Sequence, residues 1–385
     1  MARLARGKIR YERYEEFLQM MTAALLCAVV GEEEVFLVLA VVAMQRLRAY
    51  EQLVEPTTHA GMYPTHNFME VIGGFDFREL FRFEKPDFIL LLEVQELPAE
   101  LEIHRGGFGT SRVPMEIALG LTLWRLACPT TLLRDRLFWG IGEAMICEIF
   151  NLTITAIYER WGHLVGQLQH EAILPKIDIF CAAIEGRGAP LDRCWAFIDG
   201  TIRAISRPRV MQRLWYNGWK RKHALKYQAV DTPDGIIRQL WGPMLGRRHD
   251  VALVGESGLL QYLEQWFNDA AGTPYYIYGD PAYQLSPWLQ TPFKGVLTQD
   301  QQNFNSDMSA CRVTVEWGFG KIMALWPYVD YAKKQHVALS AYGLGKQYSV
   351  AGLLTNCHSC LYGNSTSKFF GVRPPTLRSY LAGEG

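Results

Sequence analysis

The sequence predicts an α/β domain with a mixed sheet flanked by helices, preceded by an all-α region. Three observations lead there. Apolar residues recur at helical spacing over roughly the first 175 residues. Beyond Pro175 short β-rich runs replace them. Two of those runs are joined by a tight turn, and the later ones alternate with helical patterns.

In chain order, "PDFILLLEVQEL" (86–97) has helical apolar spacing. "GGFGTSR" (106–112) is Gly-rich, but no strand precedes it and no Gly-Lys-Ser/Thr follows, so a connector is expected rather than a phosphate loop. "VPMEIALGLTLWRLAC" (113–128) and "PTTLLRDRLFWGIGEAMICEIFNLTITAIYERW" (129–161) read as a helix, a short helix, a turn at 139–142 and a longer helix. That is a helix-turn-helix-like pattern. The strands expected after it are "CWAFIDGTI" (194–202), "ALKYQAVDTPDG" (224–235), "IIRQLWGPM" (236–244) and "YYIYGD" (275–280). Helices are expected over 256–267 and 312–324. The expected division is an N-terminal helical region (1–110), a helix-turn-helix-like domain (111–175) and a sheet-bearing domain (176–385), with the boundary between Gln167 and Leu191.

Composition narrows the function. Half the 385 residues are apolar, so a large core forms and global disorder is excluded. The 39 basic and 39 acidic residues cancel, which argues against a wholly basic nucleic-acid binder but leaves local patches open. Eight scattered cysteines suit a reducing compartment. Cys357-x-x-Cys360 encloses His358, yet no second ligand pair is near, so a packed helix is expected there. The apolar runs at 17–31 and 35–45 fall short of the ~20 residues a membrane span needs, and Glu32-Glu33-Glu34 separates them. No membrane association and no signal peptide are expected; the runs suit buried or partner-facing helices, and hence self-association.

The chemistry centres on Asp199, which ends an apolar strand in "FIDGT". An isolated carboxylate in an apolar setting is costly, and a cation removes the cost. Asp280 repeats the pattern after "YYIYG". Glu316, in "RVTVEWGFGKI", lies on a predicted helix that could lower a third carboxylate onto the other two. Such an oxygen-ligand set suits Mg²⁺ or Mn²⁺, and two such ions about 4 Å apart clamp the attacking and leaving oxygens of a phosphodiester. His249 and Asp250 in "GRRHD" are possible accessory groups, or Asp250 caps the following helix. From Ile202 to Lys226 the chain carries no acid but Arg203, Arg207, Arg209, Arg213, Lys220, Arg221, Lys222 and Lys226, interleaved with Trp215, Tyr216 and Trp219. Cations pair with phosphates and aromatic faces stack on bases, so DNA is the expected partner.

"FIDGT", "YNGWKRKHALKYQAVDTPDG", "GRRHD", "GDPAY…W…TPF", "FN…R…VEWGFG" and "LLTNCH" occur in this order. The set resembles the catalytic domain of the PIF/Harbinger transposases and the nucleases derived from them, over roughly 195–362. The resemblance implies a ribonuclease H-like fold and a metal site on Asp199, Asp280 and Glu316. It implies a DNA endonuclease and strand transferase active in the nucleus, aided by a Myb-like DNA-binding partner protein; the alternatives are a host-adopted nuclease that cuts without transposition, or a catalytically silent DNA- or protein-binding adaptor. The resemblance departs at Met323 and Leu325, where many relatives carry lysine and arginine.

Overall fold

The computed structural model describes residues 67–104, 109–248, 250–337 and 342–384. The apolar runs at 17–31 and 35–45, His249 and the Asp250 side chain lie outside what is described. The chain divides into two compact units, 1–63 with 102–113, and 64–101 with 114–385. In the first, the facing ends of β1 (Glu100–His104) and β2 (Thr110–Pro114) carry a Glu102–Arg112 ion pair at 3.2 Å. Thr110–Arg112, expected in a connector, are thus in a strand.

The second unit opens with α1 (Phe68–Val71), α2 (Gly74–Phe81) and α3 (Lys85–Val94). Their Phe68, Phe77, Phe81 and Phe88 rings gather with Trp139. There follow α4 (Met115–Ala127), α5 (Leu132–Trp139), α6 (Glu143–Trp161), α7 (His163–Gly166), α8 (His170–Ile173) and α9 (Ile177–Glu185). Thr131 caps α5, Gly140 ends it in the left-handed conformation, and α6 leaves at 91° to it. Buried Asp135 fixes this corner, accepting from Trp124 Nε1 (3.1 Å), Thr130 Oγ1 (2.5 Å) and Arg125 Nη1 (3.3 Å). The stripe Ile146, Ile149, Phe150, Ile154 and Ile157 buries one side of α6. Among the described residues no single helix is long and apolar enough to cross a membrane.

The sheet is mixed. β3 (Cys194–Ala204) is central; β5 (Lys222–Asp231) pairs antiparallel to it, and β6 (Ile237–Leu245) antiparallel to β5. On the other side β7 (Tyr276–Tyr278) and β8 (Leu289–Gln290) run parallel to β3. The two-residue β4 (Tyr216–Asn217), after the short α10 (Gln212–Trp215), pairs with the start of β5. This order, with helices on both faces, is compatible with a ribonuclease H-like domain.

Strand alternation sorts β3 into two faces. Ala196 and Ile198 enter a core with Phe180 of α9, Val254 of α11 (Asp250–Glu256) and Leu263 of α12 (Leu259–Trp266). Phe197, Asp199 and Arg203 face the other way. There lie α13 (Gln299–Leu325), α14 (Tyr342–Tyr362) and α15 (Ser365–Phe370), with α16 (Leu377–Leu381) closing the chain. Asn356 of α14 latches the edge strand: its Oδ1 accepts from Ile237 N–H (3.0 Å), and its Nδ2 donates to Ile237 O (2.9 Å) and Tyr380 Oη (2.8 Å). Backbone groups of an edge strand that water would otherwise serve are thus paired inside the protein.

Candidate active site

The parallel register aligns Phe197 with Tyr278. Two residues further on, Asp199 and Asp280 stand at the same level: Asp280 just past the end of β7, and Asp199, expected to end its strand, midway along β3, which runs on to Ala204 paired with β5. Gly279 between Tyr278 and Asp280 is required for this closeness. A Cβ there would meet the Tyr283 ring at 2.6 Å and the Ile198 side chain at 2.9 Å. Asp280 then turns the chain, its Oδ1 accepting from Ala282 N–H at 2.9 Å.

Glu316 comes from α13, which Thr298 starts with a capping box to Gln301. Met308, Cys311, Val315, Phe319 and Ile322 form the buried stripe of that helix. Arg312 and Glu316 lie one position after two of these, on one helix face. Arg312 Nη1 donates to Asp199 Oδ2 at 3.1 Å, and its Nη2 lies 3.8 Å from Glu316 Oε1. Gly200 N–H donates to the other Asp199 oxygen at 2.8 Å. Burial pushes Asp199 up to about 6; Arg312 and the Gly200 N–H pull it back, while the charges of Asp280 and Glu316 add to the rise.

The three acids therefore sense one another, but among the described residues no three His, Cys, Asp or Glu side chains close into a metal cage. The guanidinium of Arg312 stands between Asp199 and Glu316 instead. Charge and donor chemistry nonetheless fit a divalent cation: all three groups are oxygen donors, and the carboxylates already gather positive charge between them.

Sequence reasoning missed two residues here. Arg312 was legible as an i,i+4 partner of Glu316. Asp231 carries the signal that marked Asp199, an apolar strand ending on a carboxylate. It is fully buried, its Oδ1 lacks a hydrogen-bond partner among the described residues, and burial raises it well above the usual carboxylate range. Its other oxygen packs where a side chain on Gly318 of α13 would go.

The basic stretch divides. Arg207, Arg209, Arg213, Lys220, Arg221 and Lys222 are exposed. Arg203 and Lys226 are only 8% and 6% exposed, which removes them from that surface. Arg203 points from β3 beneath α13, ion-pairs with Asp330 at 3.0 Å and contacts Met323. Lys226 lies inside β5, between Ile202 and Met244 of the flanking strands. Lys321, near the Met323–Leu325 departure, donates to Ser359 Oγ and Gly363 O at 2.9 Å, and burial lowers it to about 8. Cys357 and Cys360 pack in α14, and burial pushes both thiols up, the latter to about 12.

Residues 198–356, which hold all three acids, match the DDE superfamily endonuclease family. Over that stretch the chain is similar to the DDE superfamily endonucleases, in line with the PIF/Harbinger resemblance of its motifs. Protein ALP1-like of Arabidopsis thaliana is 24% identical over 210 residues, covering 50% of this chain and 51% of the relative. The chain thus spans about half the length of the curated relative it matches. No solved structure matches. DDE superfamily endonucleases generally use divalent metals, and the DDE domain here offers the oxygen donors such ions take.

Proposed function

We propose that the protein is a metal-dependent DNA endonuclease whose site is Asp199, Asp280 and Glu316, cutting transposon ends and joining them to target DNA. The reading is supported by one observation above others. The Phe197–Tyr278 register brings Asp199, midway along β3, level with Asp280 just past β7, under a helix that carries the third acid.

The three carboxylates would hold two Mg²⁺ or Mn²⁺ ions, which lower the pKa of an attacking water and steady the leaving oxygen. Asp199 sits on the sheet's central strand, its backbone fixed by β5 and its carboxylate by Arg312 and the Gly200 N–H. Asp280 is fixed by its own turn and Glu316 by the helix, so the donors come from three elements that cannot drift together. Arg312 keeps Asp199 and Glu316 apart from each other's charge and must yield Asp199 when another cation takes it. The exposed cations from Arg207 to Lys222 would hold the DNA backbone. In this reading joining uses the same site, with a DNA 3′-hydroxyl in place of water. The setting is the nucleus, with a Myb-like partner.

The test is nicking of supercoiled plasmid in Mg²⁺ or Mn²⁺. Asp199→Asn, Asp280→Asn and Glu316→Gln should each slow it by about a hundredfold or more while leaving the melting temperature near wild type. A folded single variant that cuts at the wild-type rate removes that residue from the site.

A further inference from the structure

The exposed aromatic Trp219 has no role in the chemistry above. It sits at the tip of the hairpin formed by β4 and the start of β5, where Tyr216 pairs with His223 and Asn217 with Lys222. Its side chain is 87% exposed, a costly display for an indole unless something covers it.

The turn that carries the ring is tied down. Buried Asn217 donates from Nδ2 to Gly246 O at 2.7 Å and accepts Lys220 N–H on Oδ1 at 2.8 Å, so one side chain ties the tip to the body. Arg221 takes the left-handed conformation that closes the turn. Around the ring, Lys220, Arg221 and Lys222 are exposed, and none pairs with a described carboxylate. An exposed aromatic face on an anchored turn, set among cations that no described carboxylate pairs, is the surface on which nucleic-acid bases stack while phosphates are held alongside.

The sheet also gives its distance from the chemistry. Asp199 pairs with Ala229 on β5, and Lys222 lies seven residues back along that strand. At about 3.4 Å per residue Lys222, at the base of the tip, is roughly 24 Å from Asp199, so the tip lies about seven nucleotide steps away or slightly more. β3 and β5 run past the end of β7, so the tip projects beyond the edge where the acids lie.

We propose that Trp219 is a stacking platform for an unpaired or everted DNA base, about seven nucleotides from the bond cut at Asp199. The distance rests on the nuclease reading; the stacking does not.

Binding is measured by fluorescence anisotropy with the full chain carrying Asp199→Asn, so that no cutting intervenes. The probes are a perfect duplex, the same duplex with one unpaired base, and a single strand. Trp219→Ala should weaken the single strand and the unpaired-base duplex by about ten- to a hundredfold, with the salt slope unchanged. The perfect duplex should change less than about twofold, and Trp219→Phe should recover most of the loss. Neutralising Lys220, Arg221 and Lys222 to glutamine should instead shallow the single-strand salt slope by about 2. A 2-aminopurine walked along the strand should be quenched most strongly near the predicted step.

Equal weakening of all three probes by Trp219→Ala, or no weakening, overturns the proposal, as capture of a protein by that ring with no effect on DNA would. Wild-type protein that stacks DNA on Trp219 but cuts none in Mg²⁺ or Mn²⁺ overturns the nuclease reading and leaves this one standing.

Discussion

Arg312 of α13 donates to Asp199 Oδ2 at 3.1 Å and reaches to within 3.8 Å of Glu316 Oε1, so one guanidinium serves two carboxylates from different elements. It explains how β3, buried along its first half, can carry a carboxylate at Asp199 midway along its length. Arg312 and Asp199 are 17% and 16% exposed, so solvent screens the pair only partly.

A guanidinium and a metal ion compete for the same oxygens. Arg312→Gln should therefore lower the stability of the metal-free protein by about 1–3 kcal/mol, because it leaves a partly buried carboxylate unpaired. It should also enlarge the rise in melting temperature that Mn²⁺ produces. Thermal melts of both proteins with and without Mn²⁺ check this; equal rises would show that Arg312 does not stand in the cation's place.

Gly318 sets how closely α13 approaches the sheet. A methyl there would overlap the Asp231 carboxylate, which is buried and has nowhere to go. Gly318→Ala should cost about 1–3 kcal/mol and slow cleavage, because the displaced helix carries Glu316 and Arg312. Adding Asp231→Ser removes the obstruction, so the double variant should be more stable than the sum of the single effects. Additive losses in chemical denaturation would show that the two residues do not press on each other.

How much of this was legible depends on the signal each element leaves. β3, β5, β6 and β7 were found within a few residues, because apolar runs bounded by Gly, Pro and Asp mark buried strands. α13 begins at Gln299, not near Arg312: its first turns, "QDQQNFNS", carry no apolar stripe and project polar residues outward. Asp280 does follow directly on its strand, but Asp199 was read as a strand end because the Gly-Thr after it looks like a stop, whereas pairing with β5 carries β3 on to Ala204. Arg203 and Lys226 were misplaced because a run of charge reads as one continuous surface. In fact β3 turns Arg203 under α13, and β5 carries Lys226 into the sheet. No local pattern records which neighbour a strand will have.

His358 makes the fold acid-sensitive away from the acids. Burial, then the charges of Lys321, Arg78 and Arg82, lower it from 6.5 to about 3, and its Nδ1 has no partner among the described residues. As pH falls through 6.5 the unfolded chain takes a proton there that the folded chain refuses. This group's contribution is therefore full above about 6.5 and lost progressively down to about 3. His358→Phe, which would keep the ring contacts with Phe83 and Tyr362, should remove about 1–2 kcal/mol of the loss between pH 6.5 and 5. Denaturation of both proteins at the two pH values measures it; parallel losses would mean that His358 already takes up its proton in the folded state.

The last prediction concerns what the chain does alone. Base reading in the major groove needs side chains such as Arg, Asn or Gln on an exposed helix face. Beyond its buried stripe, α6 offers Glu148, Asn151, Leu152 and Glu159 to solvent. Its Arg160 is ion-paired with Glu96, and Lys346 lies 3.5 Å from Glu159. That face is acidic, so phosphates are repelled where specific contacts would have to form. In the proposed reading the exposed cations from Arg207 to Lys222 would bind backbone and supply no sequence preference. The protein by itself should therefore bind element ends and scrambled DNA with the same weak affinity. Selection of ends should emerge only with a Myb-like partner. Titrations of both DNAs at one salt concentration, with and without that partner, decide it. Nanomolar, end-selective binding by this chain alone would make the α5–α6 corner the reader after all.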